Sequence, residues 1–121
     1  MSTYTPDCWI IVKIQSIGKE PYYRILAGWY GGFTTGDSWK LSSGIEKSFD
    51  RGDHYEILNA SGSTYICYKG GHGLSGYTAG IYSHYAVDCR ANGMLFEQVE
   101  ESFIPLLEPP ARPGEEVSQP S

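Results

Sequence analysis

Twelve of the fifteen glycines in this 121-residue chain fall between Gly28 and Gly80. Glycine reaches positive φ and lets backbones approach closely, but it weakens the interior of a helix or strand. A region punctuated this often holds short strands joined by turns rather than long helices. The densest stretch, residues 27–45, reads AGWYGGFTTGDSWKLSSGI. It mixes glycines with hydroxyls, one carboxylate and the flat, polar-tipped rings of Trp and Tyr. Such a run suits a loop that grips a ligand, or a tight bend under a small sheet. It matches no known reaction motif.

The flanking patterns predict the elements. Residues 8–14 are β-branched and aromatic and form a strand with Ile10, Val12 and Ile14 on one face. A turn over 18–21 leads to a strand over 22–29 and a hairpin. Alternation puts Tyr23, Ile25, Ala27 and Trp29 on one side of it and Tyr22, Arg24 and Leu26 on the other. Further strands are expected over 38–43, 45–49, 54–58 and 64–69, with compact turns at 50–53 and 59–63 and a mobile link at 70–73. Tyr77, Ile81, Tyr85 and Cys89 then recur every fourth residue, the period of a helix of about 15 residues. Ser75 can cap its start, and Asn92-Gly93 is a stop signal. Strand character resumes over 94–99. The segment 105–121 holds five of the seven prolines and reads as a disordered tail. The expected fold is therefore α+β, a curved antiparallel sheet of about five or six strands with one packed helix. It is a single domain over 1–104. Trp9, Ile10, Val12, Ile25, Trp39, Ile57, Ile66 and Ile81 are the expected core.

Charge narrows the function. The formal net charge is −5, and Lys and Arg are scattered, which argues against binding nucleic acid through phosphate neutralisation. The acids are too dispersed for mimicry of a nucleic acid. Cys8, Cys67 and Cys89 are odd in number and widely spaced, so neither a disulfide framework nor a CxxC site is indicated. Reduced thiols and a cytoplasmic location are the expectation. No apolar run is long enough to span a membrane, and no membrane partner is expected.

Candidate site residues follow from chemistry. His54, His72 and His84 show no metal-ligand spacing, and neither metal nor cofactor is expected. His72 lies between glycines and is expected to be exposed, where it could touch a phosphate or serve as a base. His84 is expected at the helix surface. The runs 42–44 and 61–63, with Ser61 and Ser63, resemble small anion cradles, although Ser and Gly also dominate plain turns. Asp37 and Ser38 open a strand and either close the turn by bonding the local backbone or join Tyr30 at a pocket rim. Tyr30, Trp39, Tyr65 and Tyr68 could stack on a base, with Arg24, Lys40 and Lys69 meeting its phosphates. The alternative is that these aromatics are core and cross-strand pairs. The Gly-rich loop and the 61–63 turn are expected to meet at one end of the sheet.

Four stretches carry a resemblance: residues 6–14, 23–45, 59–69 and 73–80, about half the chain. Their AGWYGG, GDSWK and SGI blocks resemble a group of small uncharacterised proteins of tailed bacteriophages and prophages. The tail lies outside it, and it transfers no catalytic residue. It implies a small accessory protein in the host bacterial cytoplasm that binds a host protein, or sequesters or degrades a host signalling nucleotide. The leading expectation is capture of a nucleotide-like ligand in an aromatic, Gly-lined pocket, which could lie at the interface of a homo-oligomer. The alternatives are an inhibitor that blocks a host protein through a Tyr-rich surface, and a small hydrolase using His72 or Asp37.

Overall fold

The computed structural model describes residues 2–31, 36–101, 104 and 117–120. The elements in chain order are β1 (Thr3–Tyr4), β2 (Cys8–Ser16), β3 (Tyr22–Trp29), β4 (Ser38–Leu41), β5 (Ile45–Asp50), β6 (His54–Asn59) and β7 (Thr64–Tyr68). A 3-10 turn (Lys69–Gly71), the helix α1 (Gly76–Ala91), β8 (Met94–Val99) and β9 (Val117–Pro120) follow. The class is α+β. The strands divide between two sheets rather than forming one curved sheet: β1-β7-β6-β5 and β8-β2-β3-β4-β9. Among the described strand pairs the short β1–β7 pair is parallel and the others are antiparallel. Of the proline-rich segment, β9 runs antiparallel to β4, and residues 105–116 and 121 lie outside the described residues.

The larger sheet is the middle of three layers. Trp9, Ile11, Ile25 and Ala27 on one face pack against Ile45, Tyr55, Ile57, Tyr65 and Cys67 of the smaller sheet. Ile10, Val12, Ile14, Leu26, Trp39, Leu41 and Phe96 on the other face meet Tyr77, Ile81, Tyr82, Tyr85 and Cys89 of α1. The four-residue period seen in the sequence is thus the face that α1 lays on the sheet. The alternation predicted for β3 holds, with Tyr23, Ile25, Ala27 and Trp29 toward the small sheet and Tyr22 and Leu26 toward the helix.

The expected core is confirmed at Trp9, Ile10, Val12, Ile25, Trp39 and Ile57. Ile66 is corrected. Its neighbours Tyr65 and Cys67 fill the inter-sheet core, and Ile66 is half-buried on the opposite face of β7. Ile81 is half-buried in the helix layer.

Ser75 caps α1 in a reciprocal box with Thr78. This places the helix start directly over Gly28 of β3. A Cβ at Gly28 would stand 2.6 Å from Thr78 Cγ2 and 2.9 Å from Cys8 Sγ. Both neighbours are buried, so neither can move aside cheaply. Gly28→Ala should destabilise the chain by about 1–3 kcal/mol through overpacking. Gly80→Ala should stabilise it by about 1 kcal/mol, because a Cβ there meets nothing within 4 Å and alanine is the better helix former. Urea denaturation of the two variants checks both signs.

Candidate functional site

The structure distributes the predicted site residues over three places. The first is the neck of the Gly-rich loop. Asp7 Oδ2 accepts a hydrogen bond from the Tyr30 N–H at 2.8 Å, and Asp37 Oδ1 accepts one from the Gly31 N–H at 3.3 Å. Gly31 stands so close to the Gly36 carbonyl that no side chain fits there. Asp37 therefore closes its own turn, as the backbone-bonding reading expects. Tyr30 is exposed, and its phenol is held above the ordinary tyrosine range, first by the Cys8 sulfur, then by partial desolvation and by the charges of Asp7 and Asp37. Residues 32–35 of the loop lie outside the described residues.

The second place is an aromatic nest between the sheets. Tyr4 meets Tyr65 at 5.1 Å between ring centroids and Trp29 edge-on at 6.3 Å. Lys40 Nζ stands 4.3 Å above the Tyr4 ring and donates to its hydroxyl at 3.2 Å. The alternation along β4 sends Trp39 the other way, into the helix layer against Tyr85. On β3, Arg24 donates to the Ser42 carbonyl. Tyr65 is completely buried. The proposed stacking rings and cations therefore line no common wall: Trp39 faces the helix layer, and Lys40 and Tyr65 lie between the sheets.

The serine runs meet each other. Ser43 Oγ accepts from the Ser61 N–H at 3.0 Å, Ser61 and Ser63 share a hydroxyl contact at 3.1 Å, and the Gly44 carbonyl accepts from Ala60. Ser42 Oγ accepts from the Ile25 N–H at 2.8 Å. These hydroxyls tie β3, the link into β5 and the 59–63 turn together, which is the turn reading. This junction follows Leu41, whereas the Gly-rich loop precedes Ser38. The two lie at opposite ends of β4 and do not meet at one end of the sheet.

The third place surrounds Trp9. The indole N–H donates to the Tyr68 carbonyl at 2.7 Å and joins the two sheets. His72 is corrected from exposed to half-buried. It bridges to Trp9 in the main chain and sets its ring edge-on to the indole at 4.8 Å. The Gly73 N–H bonds the Trp9 carbonyl at 2.8 Å, so main-chain bonds fasten the 70–73 link to β2. Tyr55 packs on Trp9 at 5.9 Å, and Lys69 Nζ stands 4.9 Å over the Tyr55 ring while bonding Asp50 at 2.8 Å. The Asp50 bond raises the Lys69 pKa, and the charge of Glu101 adds to the rise. Burial raises the Tyr55 phenol. His72 Nε2 and Glu101 Oε1 are buried without a hydrogen-bond partner among the described residues. Sequence reasoning picked Lys69 and His72 here and missed Asp50, Tyr55 and Glu101, which no short motif connects.

The outer face of the smaller sheet was also missed. Opposed residues in an antiparallel ladder share a face. Register therefore aligns Phe49, Glu56 and Ile66 in one row, Lys47, Leu58 and Thr64 in a second, and His54 with Tyr68 in a third. Phe49 is 36% exposed and Tyr68 45%, and Leu58 and Ile66 are half-buried. An antiparallel sheet facing water normally carries polar residues at such positions. Charged groups rim this face. Arg51 lies 4.9 Å over Phe49 and pairs with Glu56 at 3.1 Å, and His54 contacts Asp53 at 2.6 Å. The signal was available in the consecutive apolar residues Ile57-Leu58 and Tyr65-Ile66-Cys67-Tyr68.

Among the described residues, no group of three His, Cys, Asp or Glu could hold a metal ion, and no helix is long and apolar enough to cross a membrane. His84 sits on the exposed side of α1, 3.4 Å from Asp88. Comparison with protein-family models, curated proteins and solved structures finds no match to this chain.

The Asp50–Lys69 pair makes a pH prediction. Lys69, then the Gly52 N–H, lowers the Asp50 pKa. The stabilisation from Asp50 is therefore complete above its unfolded value of about 4 and is lost as pH falls through the lower folded value. The raised Lys69 pKa gives stabilisation that is complete below the ordinary lysine value of about 10.4 and is lost as pH rises through the folded one. Lys69→Met should return the Asp50 carboxyl midpoint toward the ordinary carboxylate range. Carbon-detected NMR titration reads this directly, and an unchanged midpoint would contradict the assignment.

Proposed function

We propose that this chain is a binding protein that blocks a protein partner through the outer face of its four-stranded sheet. On the resemblance noted in the sequence, it is a small accessory protein of a tailed bacteriophage or prophage, and the partner belongs to the infected cell. The observation that carries the reading is that Phe49, Leu58, Ile66 and Tyr68, spread over three rows of the ladder, share a face where alternation would place polar residues. Interfaces concentrate aromatic residues at a dry centre inside a polar rim. Here Arg51, Asp53 and His54 border the face, and Glu56, between Phe49 and Ile66, is already paired with Arg51. Tyr and Phe bring large contact area with few rotatable bonds, which keeps the entropy cost of ordering low.

Capture of a nucleotide-like ligand has weaker support. It needs stacking rings and cations on one wall, and Trp39 lies in the helix layer while Lys40 and Tyr65 lie between the sheets. A hydrolase reading needs a nucleophile and a base in reach of each other. Asp37 is bound to the Gly31 amide and His72 packs on Trp9.

Ile66→Glu should abolish partner retention at least tenfold, a loss of about 1.4 kcal/mol, while thermal melting stays cooperative. His84→Ala, on the helix side of the molecule, should retain the partner like the parent chain. The measurement is affinity enrichment from bacterial lysate with all three chains, followed by binding to the purified partner. Retention by Ile66→Glu would overturn this face as the interface. A retained mass of nucleotide size in native mass spectrometry would favour capture instead.

A further inference from the structure

Successive side chains of a strand point to opposite faces. Pairing with Leu58 and Glu56 puts Lys47 and Phe49 on the outer face of the smaller sheet. Arg51, just past the end of β5, reaches back over Phe49, its guanidinium carbon 4.9 Å from the ring centroid. Its Nε donates to Glu56 Oε1 at 3.1 Å. These two contacts orient the guanidinium and still leave the side chain 49% exposed. Only one edge of the group is used: the Nη donors make no bond among the described residues. Lys47 is exposed and makes no hydrogen bond or ion pair among the described residues. Glu56 thus answers Arg51 on one side, and leaves the Arg51 Nη donors and the Lys47 charge unmatched on this face. The ladder sets apolar groups next to them, with Leu58 opposite Lys47 and Ile66 in the row of Phe49 and Glu56.

We infer that the partner docked on this face seats a carboxylate side chain against the Nη groups of Arg51, with an apolar side chain beside it over Leu58 and Ile66. This rests on the docking function proposed for the face and names the chemistry of the partner. A guanidinium meets a carboxylate through two parallel N–H···O bonds, which fix direction as well as charge. A planar fork that is already oriented loses less freedom for each bond formed. Phe49 keeps water from one side of the guanidinium, and the apolar side chain of the partner keeps it from another. The pair then forms in a lower dielectric than an open surface pair and gains more from its Coulomb attraction. Lys47, two residues along the strand from Phe49, attracts the same sign during approach and sets the side from which the partner arrives. A cationic side chain in this place meets Arg51 and Lys47 together and is rejected. The fitting surface is therefore apolar with a carboxylate at the β5 margin.

A randomised peptide library displayed on yeast and sorted on the full chain tests the inference with a defined probe. Selected peptides should carry Asp or Glu beside a large apolar residue. Ile66→Glu should abolish their binding. Arg51→Lys, which keeps the charge and removes the fork, should weaken it about tenfold. Lys47→Gln should weaken it about threefold, chiefly through slower association. All three side chains reach the surface, so each variant should melt cooperatively. Peptides that need Ile66 but contain no acidic residue, or that bind Arg51→Lys as tightly as the parent chain, would overturn the carboxylate contact and leave the docking face standing. Peptides indifferent to Ile66→Glu would overturn the face and this contact with it. A dimer of the parent chain that Arg51→Lys disperses, read by sedimentation, would give the carboxylate to a second copy and overturn the separate partner.

Discussion

Trp9 lies in β2, a strand enclosed on all sides, at the junction of the two sheets. Residues 8–12 of β2 are all buried, because one face packs on the smaller sheet and the other on α1. Its edges are also taken, by β3 on one side and by β8 and His72 on the other. A strand in this position leaves none of its main-chain groups to water. Every one must find a partner in the protein, since a buried unpaired group costs about 1–3 kcal/mol. The indole of Trp9 adds one more polar group and satisfies it across the layers, on the Tyr68 carbonyl. That single bond fixes where the edge of the smaller sheet sits over the larger one. It also sets the positions of Tyr55, Lys69 and His72, which contact Trp9 or each other.

The closure of β2 is non-local. Its partner β8 follows α1, and their paired residues lie 78 to 88 positions apart in the chain. Loop-closure entropy is spent before such contacts form, so this topology favours late completion of the core. The helix start packed on Gly28 acts as the clasp. Without a Cβ at Gly28, the capped turn at Ser75 and Thr78 approaches the β3 backbone and brings β8 back to β2.

The sequence carried the elements well and their assembly poorly. Strand alternation, the four-residue period of α1 and the Ser75 cap are local signals, and the structure contains each of them. The division into two sheets is not local, since a strand with period two looks alike in either sheet. One clue was present: an apolar run in β2 instead of alternation, which marks a strand covered on both faces. Ile66 was misplaced because hydrophobicity favours isoleucine over tyrosine and cysteine for the core, whereas the β7 phase is set by Tyr65 and Cys67 against the β6 ladder. The site residues divide the same way. Asp37 and the serine turns behave as their local chemistry implies. The clusters around Tyr4 and Trp9 join residues from opposite ends of the chain, which topology alone brings together.

In a small protein an apolar sheet face and an uncovered strand edge are two routes to self-association. Both are restrained here. Arg51 covers Phe49 and His54 tilts against Tyr68, so the outer face is partly shielded by side chains that can rotate away. The β4 edge is filled by a strand of the same chain. Net negative charge adds repulsion between identical copies. Repulsion of this kind acts between like copies and not toward a basic or neutral surface.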